Sequence, residues 1–191
     1  MKRTVLTIIL IMLAISPAFS NSDKFLTTEA SLGTGISIYD SSNDDLRKDL
    51  LSGKDYKRII ANVTLDTNLN ISDPLKIMFG AEMFFDFLWN SPDYYNTVDY
   101  SLFTGIKLFP NKTGLNFSIS YVLGSRTDFF SESPKQDSKA WGNGFRLAIQ
   151  YDFMEDKDYK IKPNVGAYYR CVPRGNYNTD HILCLYGGIR F

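Results

Sequence analysis

The side chains able to do chemistry in this 191-residue chain are mostly charges placed at every second position of apolar stretches. Glu82, Asp86, Asp99, Arg126, Arg146 and Arg170 each sit among small or polar residues that alternate with large apolar ones. The same parity adds Glu29, Asp66, Lys76, Lys107, Asp152, Lys160, Lys162 and Arg190. A ring of one sign would make an ion-selective pore. Here the signs are mixed and balanced, so charges withdrawn from water would pair with one another. Counting outward from the turn "PNKTG" sets Asp99 opposite Arg126, with Asp86 close to Asp99. The expectation is a cluster of Asp86, Asp99 and Arg126, with Arg170 within reach. A structural plug is the leading reading of such a network, and a gated polar path the second.

Nucleophile chemistry finds little support. His181 is the single histidine, and the residue two positions on is Leu183, where a serine would be wanted. No carboxylate is placed to orient its ring, so no catalytic residue is assigned. Cys171 and Cys184 fall on opposite parities and would meet only if a bulge near Pro173 shifted the register. A bridge between them stays open in an oxidising compartment. No Cys/His cluster has metal-site spacing, and there is no phosphate-binding glycine loop or GxSxG elbow. Neither metal nor cofactor is expected.

The elements that must carry these charges repeat one pattern, a period of two. Leu26 to Ile38 alternates against Glu29 to Tyr39, and Ile59 to Thr67 against Arg58 to Asn68. Further segments run through Ile77–Phe87, Val98–Leu108, Leu115–Leu123, Phe145–Phe153 and Tyr159–Tyr169, and the last is "HILCLYGGIRF". Helical periodicity is confined to "SNDDLRKDLLSG", where Asn43 would cap a short helix ending near Gly53. Connections alternate in length. Residues 40–57, 90–97, 128–140 and 173–179 read as long and polar, whereas "NISDP", "PNKTG" and "EDKD" read as tight turns. Eight strands joined this way form an antiparallel up-and-down barrel or meander.

Composition narrows the class. Formal net charge is +0, from 21 cationic and 21 acidic side chains, so there is no basic field for nucleic acid. The opening "MKRTVLTIILIMLAISPAFS" has a cationic start and an apolar run of about eleven residues, too short to span a bilayer. It reads as a signal peptide over residues 1–20, leaving one domain over 21–191. No later stretch approaches about 18 consecutive apolar residues, so a membrane-spanning form would have to be a barrel.

Alternation alone leaves open which face points inward. A soluble lipocalin-like barrel would turn the apolar parity inside. The interior of an eight-stranded barrel is small, and roughly five or six sizeable apolar residues per strand would overfill it. The other parity interleaves glycines (Gly33, Gly80, Gly105, Gly124, Gly166) with charges, which suits a narrow polar lumen. Aromatics gather near strand ends, Trp89, Tyr100 and Tyr169 at one rim and Phe117, Phe153 and Phe191 at the other, as interfacial girdles require. The inside-out, transmembrane reading is favoured.

The ending "GGIRF", with Gly187, Ile189 and Phe191 on one parity, resembles the C-terminal recognition signal of bacterial outer-membrane barrels. With the signal peptide and the alternating segments, the whole chain resembles the small barrels of the OmpX, OmpA-transmembrane and OmpW-like groups. The resemblance implies insertion into outer-membrane lipid by the barrel-assembly machinery, a monomer, both termini periplasmic, and the long connections facing outward. It also implies a structural or surface-interaction role; the Tyr, Phe and Trp among Ser, Asn and Gly in "DDLRKDLL", "SPDYYN", "DFFSESPKQDSKAW" and "PRGNYN" read equally as a contact surface for an extracellular ligand and as a belt at the lipid headgroups. A narrow channel for small or hydrophobic solutes, as in OmpW-like barrels, is the alternative. A lipid A-modifying enzyme is a minor one, and the chain is not expected to be an enzyme.

Overall fold

A computed structural model of the chain describes residues 25–39, 44–53, 55–110, 114–132, 136–153, 160–174 and 179–191. The proposed signal peptide, Asn43, Tyr159 and the "EDKD" turn lie outside them. The alternating segments become β1 (Leu26–Tyr39), β2 (Lys57–Ser72), β3 (Leu75–Asn90), β4 (Asp93–Leu108), β5 (Leu115–Phe130), β6 (Gln136–Ser138), β7 (Gly142–Asp152), β8 (Lys162–Pro173) and β9 (Thr179–Arg190). One helix, α1 (Asp44–Ser52), occupies the first connection. Neighbours pair antiparallel in the order β4-β3-β2-β1-β9-β8-β7-β5, and the further β4–β5 pairing closes the ring. Strand β6 pairs with the end of β5 and continues as β7. Between the pairs Thr127↔Ser138 and Gly124↔Gly142 the β6–β7 side carries one residue more, a bulge that lets a single bent strand follow β5 along its length. The result is an eight-stranded antiparallel barrel.

The barrel is inside out. Leu32 is 68% exposed and Leu185 66%, whereas Asp99 is 0% and Arg126 1%. Ile59, Phe79, Leu102, Ile119, Leu147 and Ile189 likewise face outward. A lipocalin-like packing is therefore excluded: the apolar parity forms the outer wall, where lipid imposes no volume limit. The inward parity is less uniformly polar than expected. Met78, Phe84, Phe103, Val122, Tyr168, Ile182 and Tyr186 are buried within it. Two glycines make the room. A Cβ on Gly80 would lie 2.3 Å from the Phe103 ring, and one on Gly166 would lie 2.5 Å from the Tyr186 hydroxyl.

Two expectations are corrected. Residues 90–97 are not a long connection: β3 runs to Asn90, β4 starts at Asp93, and the two pair directly across Ser91–Pro92. Tyr95 and Thr97 keep the alternation and are buried, so the polar composition there belongs to strand rather than loop. Lys160 is not a lumen residue, because it is exposed ahead of β8. Lys162 keeps the inward parity of Asn164 and Tyr168 but is only half-buried, because β8 begins there on the rim. That rim also carries residues 25 and 191 and the Asp73–Pro74 turn; it is called the terminal rim below. The distal rim carries α1, Ser91–Pro92, β6 and Arg174 after β8.

Candidate functional site

The candidate site is the ionised lumen. Asp99 pairs with Arg126 in the β4–β5 register, yet their charges go elsewhere. Arg126 forms ion pairs with Asp180 and, at 3.2 Å, with Asp128. Asp99 receives Arg170 at 2.7 Å and Arg174 at 2.7 Å. Arg174 also pairs with Asp180, and Arg170 reaches Glu82 at 3.0 Å. Arg146 lies 3.3 Å from Glu82, with its guanidinium 4.3 Å above the Tyr168 ring and 4.9 Å above that of Phe103. These contacts string into one alternating column, Arg146, Glu82, Arg170, Asp99, Arg174, Asp180, Arg126, Asp128. The expected three-membered cluster thus gives way to a longer series. Register places backbones opposite one another, but an arginine's length lets its head choose a partner on another strand.

Asp86 stands apart from the column. Arg58 grips it in a two-point fork, Nε to Oδ1 at 2.8 Å and Nη2 to Oδ2 at 2.7 Å. Ser37 donates to Oδ2 at 2.8 Å, and Arg47 of α1 adds a bond of 2.9 Å to the same oxygen.

Toward the terminal rim the hub is Glu29. It accepts from Lys107 at 2.8 Å, Gln150 at 2.9 Å, Asn68 at 3.1 Å and Asn164 at 3.4 Å. Asp66 is 3.9 Å from the same ammonium, and Arg190 holds Asp152 at 2.7 Å. A carboxylate with this many donors is well compensated for its burial. The cavity among Glu29, Asp66, Lys107, Arg146 and Tyr186 measures about 10 Å³, room for about one water.

On the outer wall, the Tyr169 hydroxyl lies 2.7 Å from His181 Nδ1, and the two rings stack with centroids 6.0 Å apart. Cys171 is the register partner of His181 and Cys184 that of Tyr168, on opposite faces, and both thiols are free. Gly187 and Ile189 face outward, and Phe191 exchanges two backbone hydrogen bonds with Thr28, at 2.9 and 3.0 Å. Among the described residues no group of His, Cys, Asp and Glu could hold a metal ion.

Several members of the network escape sequence reasoning. Arg174 follows β8 and Arg47 belongs to α1, so alternation assigns neither a face. Asp128 and Asp180 fall at distal strand ends that read as connections, although their even parity matches the inward residues of β5 and β9. Arg58 sits on the polar parity of β2 and could have been counted.

A closed eight-stranded ring with an apolar outer wall and ionised side chains buried within it defines a transmembrane β-barrel of the small outer-membrane class. Solved structures carry the same fold. The chain is similar to Ail, the attachment invasion locus protein of Yersinia pestis, at 13% identity over 86% of this chain and 98% of that one, with a TM-score of 0.56. Ail in complex with the heparin analogue sucrose octasulfate matches at 12% identity over 87% and 99%, with a TM-score of 0.56. Neisserial surface protein A, NspA, matches at 11% identity over 87% and 96%, with a TM-score of 0.54. No family model matches the chain, and no curated protein matches it. At these identities the likeness is one of fold.

Proposed function

We propose that this chain is a non-enzymatic, monomeric outer-membrane protein whose lumen is plugged by its own ion pairs and whose distal rim meets an extracellular ligand. The observation that carries the plug is the column from Arg146 to Asp128. Each interior charge there has a neighbour of opposite sign, and the space beside Glu29 admits about one water. Paired charges in a dry lumen act as struts, because opening a path would strand them without partners. The outward placement of the distal rim and the assembly role of Gly187, Ile189 and Phe191 belong to the same proposal.

Planar-bilayer recording tests it. The purified protein should give no discrete conductance steps, and Arg170→Ala, which removes the link between Glu82 and Asp99, should lower the unfolding midpoint. Steady openings of the unmodified protein, with ion selectivity altered in Arg170→Ala, would replace the plug with a narrow channel.

A further inference from the structure

Among the described residues, Lys76 is the one buried cation that no carboxylate holds. Every other buried lysine or arginine, from Arg47 to Arg190, has an ion partner. Lys76 is 7% exposed and stands second in β3, on the inward parity at the terminal rim. Its Nζ lies over the Phe109 ring, 4.3 Å from the centroid. Neither register partner supplies a counter-charge, since Asn70 is opposite on β2 and Lys107 on β4.

The other charges that act on this ammonium are Arg190, Glu29 and Asp152. Both carboxylates are already engaged, Glu29 by Lys107 at 2.8 Å and Asp152 by Arg190 at 2.7 Å. Around the terminal mouth, then, Lys76, Lys107 and Arg190 meet Glu29 and Asp152, and the surplus charge is that of Lys76. Contact with an aromatic face offsets only part of the cost of taking an ammonium out of water. The cover over Lys76 can also yield. Phe109 follows the last residue of β4, and its backbone N–H is held by Pro74 O at 2.8 Å, so a turn of the side chain uncovers the ammonium without breaking a strand pair.

We propose that the terminal mouth of the lumen is a phosphate-binding site, with Lys76 as the principal ligand residue, Arg190 beside it and Phe109 as the ring that swings aside. A phosphate group carries enough negative charge to match the surplus of Lys76, and its several oxygens can accept from an ammonium on β3 and a guanidinium on β9 at once. Free phosphate and the headgroup of a phospholipid at that rim offer the same chemistry. The site does not rest on the plug, which concerns the column beyond Glu82.

The test uses the full chain in octyl glucoside micelles, whose headgroup contains no phosphate, and isothermal titration calorimetry at fixed ionic strength. Inorganic phosphate and short-chain phosphatidylglycerol are the two probes. Saturable binding of the first identifies a free anion as the ligand, and binding of the second alone identifies the headgroup. Lys76→Met should weaken whichever binds by about tenfold or more, as loss of one partner from a buried charge pair does. Lys76→Arg, which keeps the charge, should retain it, and Lys139→Met on the distal rim should leave it unchanged. Circular dichroism checks that each variant keeps its strands. No saturable binding of either probe, equal binding by Lys76→Met, or equal binding of acetate would overturn the site. None of these outcomes bears on conductance, so failure here and failure of the plug are separable.

Discussion

The Tyr186 hydroxyl crosses Gly166 to donate to Gln150 Oε1 at 2.9 Å, so one side chain of β9 ties itself over β8 to β7. Gly166 pairs with Gln150 on one side and with Tyr186 on the other, and the missing Cβ is what lets the ring pass. Gly166→Val should displace the ring and destabilise the barrel by about 1–3 kcal/mol, the usual cost of overpacking. Tyr186→Phe, which keeps the ring and loses the bond, should cost about 1 kcal/mol. Urea unfolding in micelles measures both; equal stability of Gly166→Val and the parent would show that the ring has another place to go.

Glu29 and Lys107 form the strongest candidate for energetic coupling at the terminal rim. Glu29→Ala should cost about 3–5 kcal/mol, because it leaves the buried ammonium, among the described residues, with Asp66 at 3.9 Å as its ion partner. The double variant Glu29→Ala/Lys107→Ala should be less destabilised than the sum of the single changes. A double-mutant cycle by urea unfolding gives the coupling, and strict additivity would mean that the pair is independent.

The outer wall carries a different sensitivity. Leu102 is 55% exposed near the middle of β4, while its neighbour Ser101 is buried against Arg170. Leu102→Arg should destabilise the barrel in bilayers by about 2–4 kcal/mol, the penalty for a cation on a lipid-facing midplane. Leu102→Met should be nearly silent. Unfolding in lipid vesicles distinguishes them, and a harmless Leu102→Arg would argue that this face meets water.

Phe191 links to β1 through main-chain bonds to Thr28, which a change of side chain leaves in place. Phe191→Ala should therefore leave the unfolding midpoint of refolded protein almost unchanged while reducing the assembled protein recovered in outer-membrane fractions severalfold. A matched loss in both measurements would assign the residue to stability alone.

The barrel was legible because its period of two is the pattern of a one-face-buried strand, and the balance of signs between residues such as Glu82 and Arg146 betrayed an interior that pairs its own charges. Even the Asp99↔Arg126 register followed from counting off a single turn. The ion partners did not. Arg174 and Arg47 enter the lumen from connections, where no periodicity fixes direction, and they redirect Asp99 and Asp86. The inward Phe84 and Tyr186 were obscured for a related reason: alternation reports that two faces differ, not that the polar one is wholly polar. Residues 90–97 misled because Asn, Ser, Pro and Asp at a hairpin tip look the same in a short turn as in a long loop.

The ring is sealed where β1 meets β9, through pairs that run from Tyr39↔Asp180 to Glu29↔Arg190. Every other junction joins neighbours in the chain, whereas this one brings together the first and last strands, and its contacts carry the largest loop-closure entropy in the molecule. Such high contact order delays the final zipping step, and until it happens the backbone groups on the facing edges of β1 and β9 have no partner inside a bilayer, although β2 and β8 already pair with their other edges. The two edges are therefore the part of a half-made molecule that must be shielded, and the place where a competing strand would arrest maturation.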